Sequence, residues 1–262
     1  MKFKKMFLVI SISFLSLVAA PIKIGMSPDY PPFGYLEGDK MAGFDVEFAQ
    51  MLFKELGLEY VIVPTMYPDI CSKISSGELD IGISAMGIDE NTVGCDYSVS
   101  YYESVNMYVT SASSGIKSKE DLAGKKIGYF YDGAQMYREL IAEIPMARGY
   151  PKTNVSSMIL SLFENRLDAI IVDSTGVIPF VKGNYDYLDK LERSAFDLAV
   201  SLGVNTKLVV IHEEPSPEAQ TIISFPKNRL GELKTDINQV IIKFRENNAF
   251  QPLLEKYDLI LN

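Results

Sequence analysis

The side chains able to do chemistry are few, and their pattern favours holding a molecule over transforming one. His212 is the only histidine. It lies in an apolar run, LVVIHEE, and reads as a structural residue. With one histidine, no Ser-His-Asp or Cys-His set can be assembled. No Cys and His cluster exists for a metal, and no cofactor is expected. The two cysteines, Cys71 and Cys95, are read either as a disulfide or as two small buried side chains. Tyr30-Pro31-Pro32-Phe33 is more informative. Two successive prolines cannot continue a sheet or sit inside a helix, so the backbone there is extended and stiff. An aromatic on each side of that corner is held at a strand's carboxyl end, where a small molecule can meet it.

Regular elements must hold such a corner in place. In PIKIGMS, Ile22, Ile24 and Met26 alternate as in a strand packed on a core. After a turn at Glu37-Gly38-Asp39, a helix is expected from Asp45, read as its N-cap. Phe44, Phe48, Met51, Leu52 and Leu56 give that helix one buried face, and Gly57 ends it. A strand at Tyr60–Pro64, a helix over Pro68–Ser76 stopped by Gly77, and a strand from Leu79 follow. The β-α-β-α-β order favours a mostly parallel sheet covered by helices. Next come the loop GIDENTVGCDYS and an extended stretch, YYESVNMYVTS.

The same order then restarts. A short helix is expected at Ser118–Leu122, a strand at Lys126–Tyr131, helices at Gln135–Ile144 and Ser156–Glu164, and a strand at Leu167–Val172 that ends at Asp173. Strands are expected at LAVSL and LVVIH. A second extended stretch, TIISFPK, precedes two terminal helices. Leu233, Ile237, Val240, Ile241 and Phe244 share one face there.

Size and charge narrow the class. A chain of 262 residues can build one large domain or two lobes with real cores. A net charge of −9 argues against a general nucleic-acid binder, which needs a basic surface to neutralise phosphates. Residues 1–20 read as a secretory signal: Lys2, Lys4 and Lys5 precede the apolar run FLVISISFLSLVAA, and Val18 and Ala20 fit the small positions before a cut. Pro21 is awkward for cleavage, which leaves an uncleaved N-terminal anchor as the alternative. The expected location is periplasmic or otherwise extracytoplasmic.

YPPF, GFDVEFAQMLFKELG, SGELDIGISAMGI, DYSVSYYES, LAGKKIGY, NRLDAIIVDS, FPKN, LKTDINQVIIKF and LLEKY occur in that order. Together they resemble the bacterial extracellular solute-binding proteins of family three, the receptors of amino-acid ABC importers. The resemblance covers residues 22–260. It implies an α/β, two-lobed periplasmic-binding-protein (Venus-flytrap) fold of type II with two hinge strands. Lobe one would combine 21–108 with 222–262, and lobe two would be 109–221. The implied partners are a small-molecule ligand and an ABC-transporter permease, and the chain is expected to be a monomer. Closure of the lobes on the ligand is the implied motion.

The resemblance also assigns a cleft. Tyr30 matches one aromatic of a pair that sandwiches the ligand, and Tyr67 matches the other. Asp173 matches the lobe-two carboxylate that takes the ligand's ammonium; it can equally N-cap the following helix. The departure lies in the carboxylate clamp. The family's arginine in the loop after the third strand is absent from Gly87–Gly94, which holds no arginine or lysine. Thr92 matches the position, or Asn91 if the loop is one residue shorter. Gly87 replaces a common serine, and Gly133-Ala134-Gln135 replaces a Gly-Thr-Thr. Ser27 stands where receptors for basic amino acids carry an acid. Ser84 is kept, and backbone N–H groups near Ala85–Gly87 are expected to remain as donors.

The cation-facing side is therefore kept and the anion-facing side weakened, and a carboxylate buried without a positive partner is costly. Three readings stay open: an amine without a clamped α-carboxylate, an ordinary amino acid held through backbone donors and water, and a degenerate site. Two other classes compete. A cyclohexadienyl dehydratase-like enzyme would keep the clamp arginine and needs an acid or base in the cleft, where Glu103 and Asp173 are the expected carboxylates. A ligand-sensing receptor domain would need a membrane span and a signalling domain after residue 262.

Overall fold

The computed structural model describes residues 20–88, 92–131, 134–188, 190–229 and 231–260. The expected signal segment therefore lies outside the described residues, apart from Ala20. Among the described residues no helix is long and apolar enough to cross a membrane.

The first half is built on β1 (Ile22–Met26), β5 (Tyr60–Pro64) and β6 (Ile81–Met86). β1 pairs with both neighbours in parallel, as the crossover helices α1 (Phe44–Leu56) and α2 (Ile70–Ser76) require. A small antiparallel sheet of β2 (Asp29–Tyr30), β3 (Gly34–Glu37) and β4 (Lys40–Ala42) carries the aromatic corner. The Pro31–Pro32 bond within it is cis. The second half repeats the order: β9 (Lys126–Phe130), α3 (Ala134–Ala142), β10 (Arg148–Lys152), α4 (Val155–Phe163), β11 (Ala169–Asp173), α5 (Ser174–Val181) and α6 (Lys190–Ser201). β9 is parallel to β10 and β11.

Two long strands join the halves. β8 (Tyr102–Ser111) and β12 (Leu208–Pro226) run antiparallel to each other. β8 also pairs with β11, while β12 also pairs with β6 and with the short β7 (Cys95–Tyr97). The ladder order is β10-β9-β11-β8-β12-β6-β1-β5. The β8–β12 register shifts between Pro215 and Gln220, midway between the two pairing regions. Helices α7 (Gly231–Glu246) and α8 (Gln251–Lys256) return to the first half, where Ile237, Ile241 and Phe244 are buried with α1 residues Phe44, Phe48 and Leu52. The second half has separate cores, one around Met158, Ile159, Ile170 and Phe180 and one around Tyr108, Ile127 and Ile171.

Three expectations are corrected. LAVSL is the end of α6, not a strand; of that helix only Phe196 is buried, and five apolar letters do not distinguish a strand from a helical turn. The edge strand β10 carries no core-facing alternation and was not expected from the pattern. Asp45 does not cap α1. Gly43 is the N-cap residue, and the carbonyls of the corner satisfy the helix start: Phe44 N–H donates to Pro32 at 2.9 Å and Asp45 N–H to Phe33 at 2.9 Å. Gly43 has φ 122°, and a Cβ there would lie 2.3 Å from the Phe33 oxygen. Only glycine lets the helix start this close to the corner.

Candidate functional site

The corner delivers Tyr30 to the second half of the molecule. Its hydroxyl shares a 2.8 Å hydrogen bond with Thr175 Oγ1 in the first turn of α5, and its ring lies 6.0 Å from that of Phe130 at the end of β9. The fit at α5 is close, since a Cβ on Gly176 would lie 3.0 Å from the Tyr30 hydroxyl. Burial pushes the Tyr30 phenol well above its usual range, with the nearby Asp173 charge adding to the effect.

Asp173 ends β11 and starts α5. One carboxylate oxygen accepts from the Thr175 N–H and hydroxyl, each at 3.0 Å. The other accepts from Ser104 Oγ at 3.1 Å. The N-cap alternative is thus present in the structure, and it leaves the carboxylate charge uncompensated. Among the described residues no cationic side chain pairs with Asp173. Burial raises its carboxyl above the ordinary value, against the lowering effect of the three donors. Such a group is stabilised by any cation placed beside it.

The other expected residues sit as follows. Ser27 and Ser84 are buried and bonded to each other, Ser27 N–H donating to Ser84 Oγ at 2.9 Å. Ala85 has φ 44°, and its N–H donates to Asp45 Oδ2 at 2.7 Å. That corrects the expectation that this N–H is available to a ligand. Gly87 follows β6 and is partly buried. Thr92 is fully buried, and Asn91 and Gly133 lie outside the described residues. Gln135 is exposed and donates along α3 to Glu139 at 3.1 Å. Tyr67 opens the 3-10 turn before α2 and packs on the core around Ile70. Cys71 and Cys95 are joined as a disulfide with Cα atoms 5.9 Å apart, tying α2 to β7. Glu103 is corrected: it is exposed and paired with Arg245 on α7 at 2.9 Å, because it faces away from Ser104 and Asp173.

The sequence reading missed the hydroxyls of Ser104 and Thr175. It also missed the network behind the β6 loop. Asp45 is fully buried and accepts from the Tyr101 hydroxyl at 2.8 Å as well as from Ala85 N–H. Burial pushes its carboxyl up to about 7. The signal in the sequence was an acid inside the helix's buried stripe, directly beside Phe44.

Two α/β halves joined by two long antiparallel strands define a two-lobed binding-protein fold. The chain has the same fold as the arginine 3rd transport system periplasmic binding protein from Legionella pneumophila, with a TM-score of 0.70, 24% identity and coverage of 91% and 100% of the two chains. The family model of the bacterial extracellular solute-binding proteins, family 3, matches residues 22–259, and the chain belongs to that family. It is 26% identical over 240 residues to a probable histidine-binding protein of Campylobacter jejuni, covering 91% of this chain and 85% of that one. A match to a cyclohexadienyl dehydratase of Pseudomonas aeruginosa, 35% identical, spans 74 residues, or 28% of each chain.

Proposed function

We propose that this solute-binding protein captures an amine-bearing solute outside the cytoplasm and presents it to an ABC-transporter permease. The ligand would sit between lobe one (21–108 and 222–262) and lobe two (109–221), with the long strands β8 and β12 as the hinge. One observation carries the reading: Asp173 is a half-buried carboxylate with hydroxyl and N–H donors and, among the described residues, no paired cation, next to Tyr30 from the opposite half. An ammonium is the group that such a site lacks.

The anion side gives the finer statement. Gly87–Gly94 holds no arginine or lysine, Ala85 N–H is taken by Asp45, and Gln135 is turned to Glu139. The relatives named for arginine and histidine fit a nitrogen-rich ligand. We therefore favour a ligand recognised by its amine, whose carboxylate, if it has one, is not clamped by a basic side chain. Ser27, Tyr30, Tyr67, Ser84, Gly87, Thr92 and Asp173 are the proposed ligand-lining positions.

Calorimetry with paired compounds tests this: arginine against agmatine, histidine against histamine, lysine against cadaverine. The decarboxylated partner is expected to bind at least as tightly as the amino acid. An amino acid that binds tenfold or more tightly than its amine, about 1.4 kcal/mol, overturns the reading. Turnover of prephenate or arogenate by the purified protein would favour the enzyme reading instead.

A further inference from the structure

Asn106 lies in β8, directly across from Asp173 in β11. Cross-strand partners project to the same face of a sheet, with Cβ atoms roughly 5 Å apart. The two side chains therefore share the face on which Ser104 meets the Asp173 carboxylate. Asn106 is 1% exposed. Its Nδ2 donates to Met136 Sδ at 3.7 Å, in the first turn of α3, which orients the amide, since an amide N–H and not a carbonyl suits a sulfur acceptor. The other end of the amide is unsatisfied: Oδ1 is buried and accepts no hydrogen bond. A buried carbonyl without a donor is costly, and folded proteins keep few of them. The surroundings supply the reason for keeping this one. Asp173 backbone N–H is bonded to the Tyr137 hydroxyl at 3.0 Å, and the Asp173 carboxylate is bonded to Ser104 and Thr175. The Ser104 and Thr175 donors are thus directed at the Asp173 carboxylate, Tyr137 Oη accepts from the Asp173 N–H, and no donor reaches Asn106 Oδ1.

Resting on the amine reading above, we infer that Asn106 is a specificity-determining residue whose side-chain carbonyl accepts an N–H from the same ligand nitrogen that Asp173 neutralises. An ammonium has three donors and one carboxylate does not exhaust them. A carbonyl beside the carboxylate takes the second N–H without adding a charge. It selects ligands with at least two free N–H bonds on that nitrogen and disfavours tertiary and quaternary amines. In the absence of ligand the oxygen is a standing cost, which binding removes.

The test compares wild type, Asn106→Leu and Asn106→Asp, each followed by thermal unfolding without ligand and by calorimetry. The probes are agmatine, histamine, cadaverine, their parent amino acids and an N,N-dimethylated form of the tightest binder. Asn106→Leu is expected to bind at least about 10-fold more weakly, as for loss of a bond to a charged donor, while melting no lower than wild type. Asn106→Asp keeps an acceptor and is expected to retain binding. Wild type is expected to reject the dimethylated probe, and Asn106→Leu to discriminate less against it. If Asn106→Leu binds within twofold of wild type, or if both variants melt lower without change in ligand preference, Asn106 is structural and the inference falls while the amine reading stands. If wild type binds none of the probes, the amine reading falls and takes this inference with it.

Discussion

Replacing Asp45 by Asn isolates the electrostatic cost of the network behind the β6 loop. Asp45 is fully buried and accepts two hydrogen bonds, and burial, Tyr101 and Ala85 are the influences on its carboxyl, with no cation among them in the described residues. Burial raises its carboxyl from 3.8 to about 7. The native state therefore keeps a proton that the unfolded chain releases near its ordinary value. The favourable contribution of the neutral group is fully present below the unfolded value and is lost as pH rises through the folded one, because across that window the native state holds a proton that the unfolded chain has released. A rise of that size corresponds to about 4 kcal/mol lost between roughly pH 4 and pH 8. Asn has the same shape and no charge: its Oδ1 can accept from Ala85 N–H, and its Nδ2 can donate to the Tyr101 hydroxyl. Urea unfolding of wild type and Asp45→Asn at about pH 4 and pH 8 reads the difference directly. The gap is expected to move by about 4 kcal/mol in favour of Asn as pH rises. A gap constant within about 1 kcal/mol would refute the reasoning, since it would mean that the carboxylate ionises normally inside the fold.

Asp173→Asn is expected to weaken binding of an amine ligand by at least about 30-fold in calorimetry, as for loss of one partner of a buried charge pair. Tyr30→Phe removes the 2.8 Å bond to Thr175 and should shift the lobes toward an open form by about 1 kcal/mol, seen as a larger radius of gyration in X-ray scattering. Phe48→Ala should cost about 3–5 kcal/mol in chemical denaturation, because Phe48 is fully buried and stacks on Tyr101 with ring centroids 4.4 Å apart. Replacing both Cys71 and Cys95, 24 residues apart, by serine should cost about 3 kcal/mol, read as a lower unfolding midpoint.

Most of the architecture was legible where periodicity and punctuation agree. Gly57 and Gly77 end α1 and α2 in the left-handed conformation, as their positions after apolar stripes indicate. The reading failed where a local rule met a tertiary substitute. Asp45 looked like a cap because it stands near a helix start, but the neighbouring Pro32 and Phe33 carbonyls already serve that start, which frees the carboxylate to turn inward. Strand β10 was hidden because four of its five residues are exposed and Pro151 interrupts it, as an edge strand allows. At the site, Tyr30 and Asp173 were visible as an aromatic and an acid at strand ends. Thr175 and Ser104 were not, because a hydroxyl's role depends on which strand it faces. Glu103 and Ser104 are adjacent in sequence, yet strand alternation sends one to Arg245 and the other to Asp173.

The most direct test of the central claim is a crystal structure of the protein with the tightest binder among the paired amines and amino acids. The ligand nitrogen is expected within about 3 Å of the Asp173 carboxylate, with Tyr30 against the ligand. A ligand whose nitrogen points away from Asp173, or whose carboxylate is gripped by a basic side chain, would contradict it.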